Sequence, residues 1–247
     1  MRVFVKNIIS IIKFIFSLPI KPKKASVLMY HSVSDDGRFF SVRPQNFHWQ
    51  LKFLHENNFN IISATELYDT LAGKKDFSYK SVVLSFDDGY QDNYSVVFPL
   101  LKRYNIKAVI FLVINFVGKE GYLSWDEIAE MKNSGLVDFY CHTMSHPDLS
   151  KLSASAIKKE LQECKTFLEE KLALPCDILA YPKGRFNDMV VQKAKDCGFK
   201  MAFGVREGAI APGNDLFDLP RLSIDGSTTK SQFLAKVSAL QFIKGRI

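Results

Sequence analysis

The chain has 247 residues, 47% apolar and 24% charged, a composition that fits a packed globular protein and excludes a disordered or collagen-like one. Its net charge of +7 is unevenly placed: Arg2, Lys6, Lys13, Lys21, Lys23 and Lys24 all precede the first acidic residue, Asp35, and the rest is nearly balanced. A nucleic-acid binder needs a basic face on its folded domain, so this distribution argues for no nucleic-acid partner and for an arm that meets an anionic membrane surface. Cys141, Cys164, Cys176 and Cys197 form no CxxC pair, and are read as reduced core thiols.

Residues 1–24 form the arm. At 100° per residue, Arg2, Lys6, Ser10, Lys13 and Ser17 fall on one stripe with Ile, Phe and Val over the remainder, which predicts an amphipathic helix lying in a membrane interface. Two lysines interrupt the apolar run, so a bilayer span or a signal peptide fits less well, although an uncleaved signal-anchor stays open. The expected location is peripheral, on the cytoplasmic face of the inner membrane, with an exported, membrane-anchored protein as the alternative.

Residues 25–247 read as one domain. SVLMYHSV (26–33) predicts a buried strand, residues 46–58 a helix, and NIIS a short strand. ATELYDTLAG predicts a helix capped by Ser63 or Thr65 and stopped by Gly73. SVVLSF (81–86) is the clearest strand. Residues 90–105 are helical with Pro99 as an irregularity, and KAVIFLV (107–113) is a buried strand. Ser124, with Glu127 three residues on and Gly135 at the end, brackets a short helix. VDFYC (137–141), a long amphipathic helix (153–174), DILAYP (177–182), a helix from Asn187 and KMAFGV (200–205) continue the alternation. Seven or eight βα units in one domain predict an α/β fold, a barrel of parallel strands rather than an open sheet. The longest loops are expected at 33–45 and 206–218.

Barrel enzymes carry their reactive groups at the C-terminal ends of the strands. His31 follows VLMY, Asp87 and Asp88 follow VVLSF, His142 follows VDFYC, and Tyr181-Pro182-Lys183-Gly184 follows DILA, so the predicted barrel gathers all of them at one mouth. His142 and His146 have H-x-x-x-H spacing. If that turn is helical, both imidazoles share one side, and with one carboxylate they make a three-ligand site of the kind catalytic zinc uses. Two adjacent carboxylates repel unless a cation relieves them, and a shared metal would do so, with Asp88 as ligand and Asp87 as base. His48 and His55 lie on the first predicted helix and are assigned no role. Trp125 and Tyr90 suit either core packing or the wall of a sugar groove.

SFDDG (85–89) together with HTMSHP (142–147) resembles the signature of the NodB-homology polysaccharide deacetylases, carbohydrate esterase family 4, over roughly residues 25–225. The resemblance implies a distorted (β/α)₇ barrel that removes N-acetyl groups from an amino-sugar polysaccharide or lipid-linked saccharide. It implies Asp87 as general base, and Asp88, His142 and His146 as ligands of a divalent metal, most commonly Zn²⁺. Many members carry the acid histidine in a late motif, but no histidine follows His146 here. VLMYHSV instead looks like the opening of the permuted poly-N-acetylglucosamine deacetylases, which implies His31 as the acid. AYPKG (180–184) stands where the family has an arginine-bearing motif. Its Tyr181 is assigned the backbone N–H that serves the oxyanion, and Arg221 in LPRLSI is the candidate replacement for the missing arginine, with Arg185 second. An O-acetyl esterase and a non-catalytic carbohydrate-binding protein on the same fold are the competing readings. A glycosidase using Asp87 and Asp88 is disfavoured, because neighbouring residues cannot flank a glycosidic bond at the required separation.

Overall fold

A computed structural model describes residues 24–237, so the predicted amphipathic helix of the arm, and the membrane contact expected of it, lie outside the described residues. Eight parallel strands alternate with helices: β1 (Ala25–Tyr30), α1 (Pro44–Glu56), β2 (Asn60–Ile61), α2 (Ala64–Leu71), β3 (Ser81–Asp88), α3 (Phe98–Tyr104) and β4 (Ala108–Leu112) come first. Then follow α4 (Trp125–Asn133), β5 (Val137–Cys141), α5 (Ala154–Leu172), β6 (Ile178–Ala180), α6 (Asp188–Asp196), β7 (Met201–Phe203), β8 (Leu222–Ser223) and α7 (Lys230–Val237). The strand order is β7-β6-β5-β4-β3-β1-β8, with β2 paired to β3 off this path. The segment before β8 joins the two edges. Leu219 exchanges backbone hydrogen bonds with Ala202 and Gly204 beside β7, and Leu222–Ser223 pair with Leu28–Met29 of β1. The sheet is thereby curled into the expected distorted barrel.

The strands are continuous apolar runs because both faces are covered: β1, β3 and β4 are buried along their whole length. Phe86, Phe111, Phe203 and Leu28 are fully buried, each worth about 1.5–3 kcal/mol of transfer free energy. The helix starts follow local chemistry. Ser63 Oγ accepts the Glu66 N–H while Glu66 Oε2 accepts the Ser63 N–H, and Ser124 and Glu127 repeat that capping box. Ser63 is therefore the cap of α2, and Thr65 instead hydrogen-bonds Tyr140 Oη. Pro99 cannot donate within a helix, and the chain enters α3 through a wide π turn over Asn93–Val97.

Two details differ from the sequence reading. β3 runs on through Asp87 and Asp88, so both carboxylates sit on the strand. H-x-x-x-H is not helical. Residues 142–146 form an irregular loop with positive φ at Thr143 and His146, held by Thr143 and Met144 carbonyls accepting from Ile114 N–H and Asn115 N–H. His48 and His55 both lie against Tyr104, a packing role. All four cysteines are free and buried. Among the described residues no helix is long and apolar enough to cross a membrane.

Candidate active site

β3 brings two carboxylates to the barrel mouth and aims them differently. Asp87 faces the interior and is 3% exposed; Asp88 has φ 74°, a left-handed conformation that costs about 1–2 kcal/mol for a side chain with a Cβ. Such strain is retained where the surrounding fold fixes it. Gly89 follows at φ 75°, and a Cβ there would lie 2.7 Å from Leu112 Cδ2, so the turn needs glycine.

Asp87 is held by Arg221. Nη1 donates to Oδ1 at 2.7 Å and Nη2 to Oδ2 at 2.8 Å, a bidentate fork, while Nε donates to the Gly204 carbonyl at 2.9 Å. The guanidinium is fully buried and lies over the Phe111 and Phe203 rings. Burial alone would push the Asp87 carboxyl up, but the Arg221 charge and His142 outweigh it and hold it well below the usual carboxylate range. Arg185, the second candidate from sequence, pairs instead with Asp148 at 2.9 Å.

Asp88, His142 and His146 converge. His142 Nε2 and His146 Nε2 lie 3.6 and 3.5 Å from Asp88 Oδ1, and the three ligand atoms are all within 4.8 Å of one another. His142 Nδ1 is 2.7 Å from the Ala180 carbonyl, which can only accept, so Nδ1 carries the proton and the Nε2 lone pair faces Asp88. Burial pushes His142 down to about 4, and burial with the Lys183 charge lowers His146, so both rings are neutral at pH 7. Burial, then the Asp87 charge, raises Asp88 to about 7. Asp88 Oδ1 is a buried acceptor with no hydrogen-bond donor. Two imidazole lone pairs and an unsatisfied carboxylate oxygen around one point are a donor set that fits a divalent cation.

His31 sits just past β1, lowered in pKa by burial, with Asp87 opposing and Arg221 reinforcing the shift. Its ring rests on Phe40 at 5.8 Å. The Tyr181 assignment is corrected. Its N–H donates to the Phe203 carbonyl in the β6–β7 ladder at 3.0 Å, its hydroxyl donates to the Phe217 carbonyl, and its ring stacks on Phe186. A committed N–H cannot serve an oxyanion. On the same turn Lys183 has φ 58°, and its N–H makes no hydrogen bond with any described residue. Ala180, whose carbonyl sets the His142 tautomer, acts through its backbone and so leaves no residue-type signal in the sequence. Trp125 packs against Phe167 of α5, whereas Tyr90, next to Gly89, stacks on Phe40 and Tyr122, and hydrogen bonding from its side chain lowers Asp88.

A sequence model described as polysaccharide deacetylase matches residues 74–202. The poly-beta-1,6-N-acetyl-D-glucosamine N-deacetylase of Staphylococcus aureus is 30% identical over 211 residues, covering 80% of this chain and 72% of the relative. Among solved structures, the Streptococcus pyogenes deacetylase PplD in complex with acetate aligns with a TM-score of 0.81 at 30% identity, over 88% of this chain and 99% of that one. IcaB from Ammonifex degensii aligns with a TM-score of 0.79 at 26% identity, over 88% and 98%.

Proposed function

This chain belongs to the polysaccharide deacetylase family, and from that premise we propose that it hydrolyses N-acetyl groups on an amino-sugar polysaccharide, releasing acetate and leaving a free amine. The observation that carries the reading is the pairing of two carboxylates in opposite states. Asp87 is held as an anion by Arg221, and beside it Asp88 is left open toward two neutral imidazoles.

Asp88, His142 and His146 would hold a divalent cation, with Zn²⁺ the best match to two imidazoles and one carboxylate. Bound there, it would supply Lewis-acid polarisation of the acetamide carbonyl and acidify a water. Asp87 accepts the proton of the attacking water. Each of its oxygens gives one lone pair to Arg221 and keeps another, so the fork orients the base without consuming it. The Lys183 N–H, free on its left-handed turn, is the backbone donor available to the developing oxyanion in place of Tyr181. His31, just past β1, the strand next to β3, protonates the departing nitrogen, which would otherwise leave as an amide anion. The Asp87 charge opposes the lowering of His31 by burial, which supports reading the base and the acid as parts of one site.

The test is acetate release from oligomers of N-acetylglucosamine, with and without a chelator, in the parent and in Asp87→Asn. Activity that needs both the metal and Asp87 supports the reading. Full activity in Asp87→Asn, or in metal-stripped protein, rejects it.

A further inference from the structure

The turn that follows the two carboxylates also reaches back to the segment just past β1 that carries His31. Ser32 Oγ donates to Asp92 Oδ2 at 2.5 Å, and the Val33 N–H donates to Asp92 Oδ1 at 3.0 Å. Asn93 Nδ2 donates to the His31 carbonyl at 3.0 Å and to Asp92 Oδ1 at the same distance. Three consecutive residues, His31 to Val33, are thus tied to two consecutive residues that lie four and five positions beyond Asp88.

Ser32 extends the tie. Its hydroxyl accepts from Ser41 Oγ at 3.2 Å and from Arg38 Nη2 at 3.3 Å, and its carbonyl accepts from the Val42 N–H at 2.9 Å. That fixes the segment bearing Phe40, the ring against which His31 rests. Asn93 is fully buried, and its Oδ1 has no donor. A buried amide that leaves its own oxygen unsatisfied is costly, and an apolar side chain of the same size would avoid that cost. The amide is kept where its N–H groups are needed, and both of them are spent on the His31 carbonyl and on Asp92.

We propose that Asp92 and Asn93 are positioning residues that set His31 at its distance from Asp87 and Asp88, so that the acid and the base move as one unit. The inference rests on the reading of His31 as the acid. One short stretch then specifies the whole catalytic geometry on this side of the barrel. Asp87 and Asp88 provide the base and the ligand, Gly89 turns the chain, and Asp92 with Asn93 hold the neighbouring strand end in register. An acid misplaced by about an ångström loses proton transfer to a poor leaving group, while hydrolysis of a substrate with a good leaving group is spared.

The experiment compares two substrates on the full-length, zinc-loaded protein: an N-acetylglucosamine oligomer, whose amine must be protonated to leave, and an aryl acetate, whose phenolate leaves unaided. The readout is the ratio of the two kcat values, which does not depend on how much of a preparation is folded. Asn93→Leu and Asp92→Asn are expected to lower the amide-to-ester ratio by about 10- to 100-fold, below the span of about 10²–10⁴ that full loss of an acid produces. In a His31→Ala background neither substitution is expected to change the ratio further, since a positioning residue has nothing left to position. An unchanged ratio in both variants overturns the proposal while leaving His31 as the acid. Losses that persist in the His31→Ala background overturn it too. A normal ratio in His31→Ala itself rejects the acid assignment, and the proposal with it.

Discussion

Arg221 grips Asp87 through both carboxylate oxygens, at 2.7 and 2.8 Å, although the two residues are 134 positions apart. Both are buried, so the fork works at low dielectric, and burial alone would drive the carboxyl toward its neutral form. Lysine offers a point charge instead of a planar fork. Arg221→Lys is expected to lower kcat by about 100-fold and to move the acidic limb of the kcat/KM profile to higher pH, because the Asp87 pKa rises when the fork is lost. Arg221→Met, which leaves the Asp87 charge without a partner, is expected to cost about 3–5 kcal/mol in urea unfolding. A profile whose acidic limb stays in place in Arg221→Lys would dissociate Asp87 from the rate.

The base and the ligand cluster are expected to separate cleanly in a metal assay. Asp87→Asn should lose about 10²–10⁴ in deacetylation rate yet retain zinc, since Asp87 donates no atom to the ligand cluster. His142→Ala should lose more than about 100-fold in zinc affinity, a larger effect than removal of a partner behind a ligand. Atomic spectroscopy on dialysed protein reads the difference. Zinc loss in Asp87→Asn, or zinc retained in His142→Ala, would exchange the assigned roles.

Much of this geometry is legible in the residues because strand ends are local features. An apolar run that stops at Asp87, or one that stops at His142, shows where a side chain enters the barrel mouth. The capping boxes at Ser63 and Ser124 are legible for the same reason. What escapes is register and the third dimension. Tyr181 is two residues from Lys183, and only the β6–β7 ladder decides which N–H is spent. H-x-x-x-H suggests a helix from spacing alone. The loop brings the imidazoles together differently, with positive φ at Thr143 and His146 and with the Ser145 N–H and hydroxyl held by Glu160. Arg221 stands at the end of a long irregular crossing between β7 and β8, where no periodicity points to a partner on β3, so its candidacy rests on the family resemblance alone, and the structure supplies the fork to Asp87.

Gly89 provides a test of the strain stored at the turn. At φ 75° an alanine costs about 1–2 kcal/mol, and its Cβ would meet Leu112 Cδ2 at 2.7 Å on a fully buried strand. Gly89→Ala is therefore expected to lower stability by more than about 2 kcal/mol and to weaken zinc binding, since Asp88 must shift with the turn. Gly37, also at positive φ (79°) but with nothing within 4 Å of an added methyl, is the control, and Gly37→Ala should cost only the backbone part. Equal losses at the two positions would show that the Leu112 contact is absorbed.

Alkaline pH should unfold the barrel through its buried tyrosines. Tyr30 donates to Gln50 Oε1, Tyr140 hydrogen-bonds Thr65 Oγ1, and Tyr181 donates to the Phe217 carbonyl. Burial raises all three above their ordinary value of 10.0, Tyr140 to about 12. The sign follows from proton counting. Between pH 10 and about 12 the unfolded chain has released protons that the native state still holds, so stability falls as pH rises. The contribution is fully present below pH 10, and each tyrosine steepens the fall by up to about 1.4 kcal/mol per pH unit. Thermal melts across this window should show Tm dropping, with phenolate absorbance growing together with the loss of far-ultraviolet ellipticity. Tyr140→Phe should flatten the slope by one tyrosine's share. Phenolate absorbance of all three residues developing in still-folded protein would mean that the barrel opens to hydroxide without unfolding.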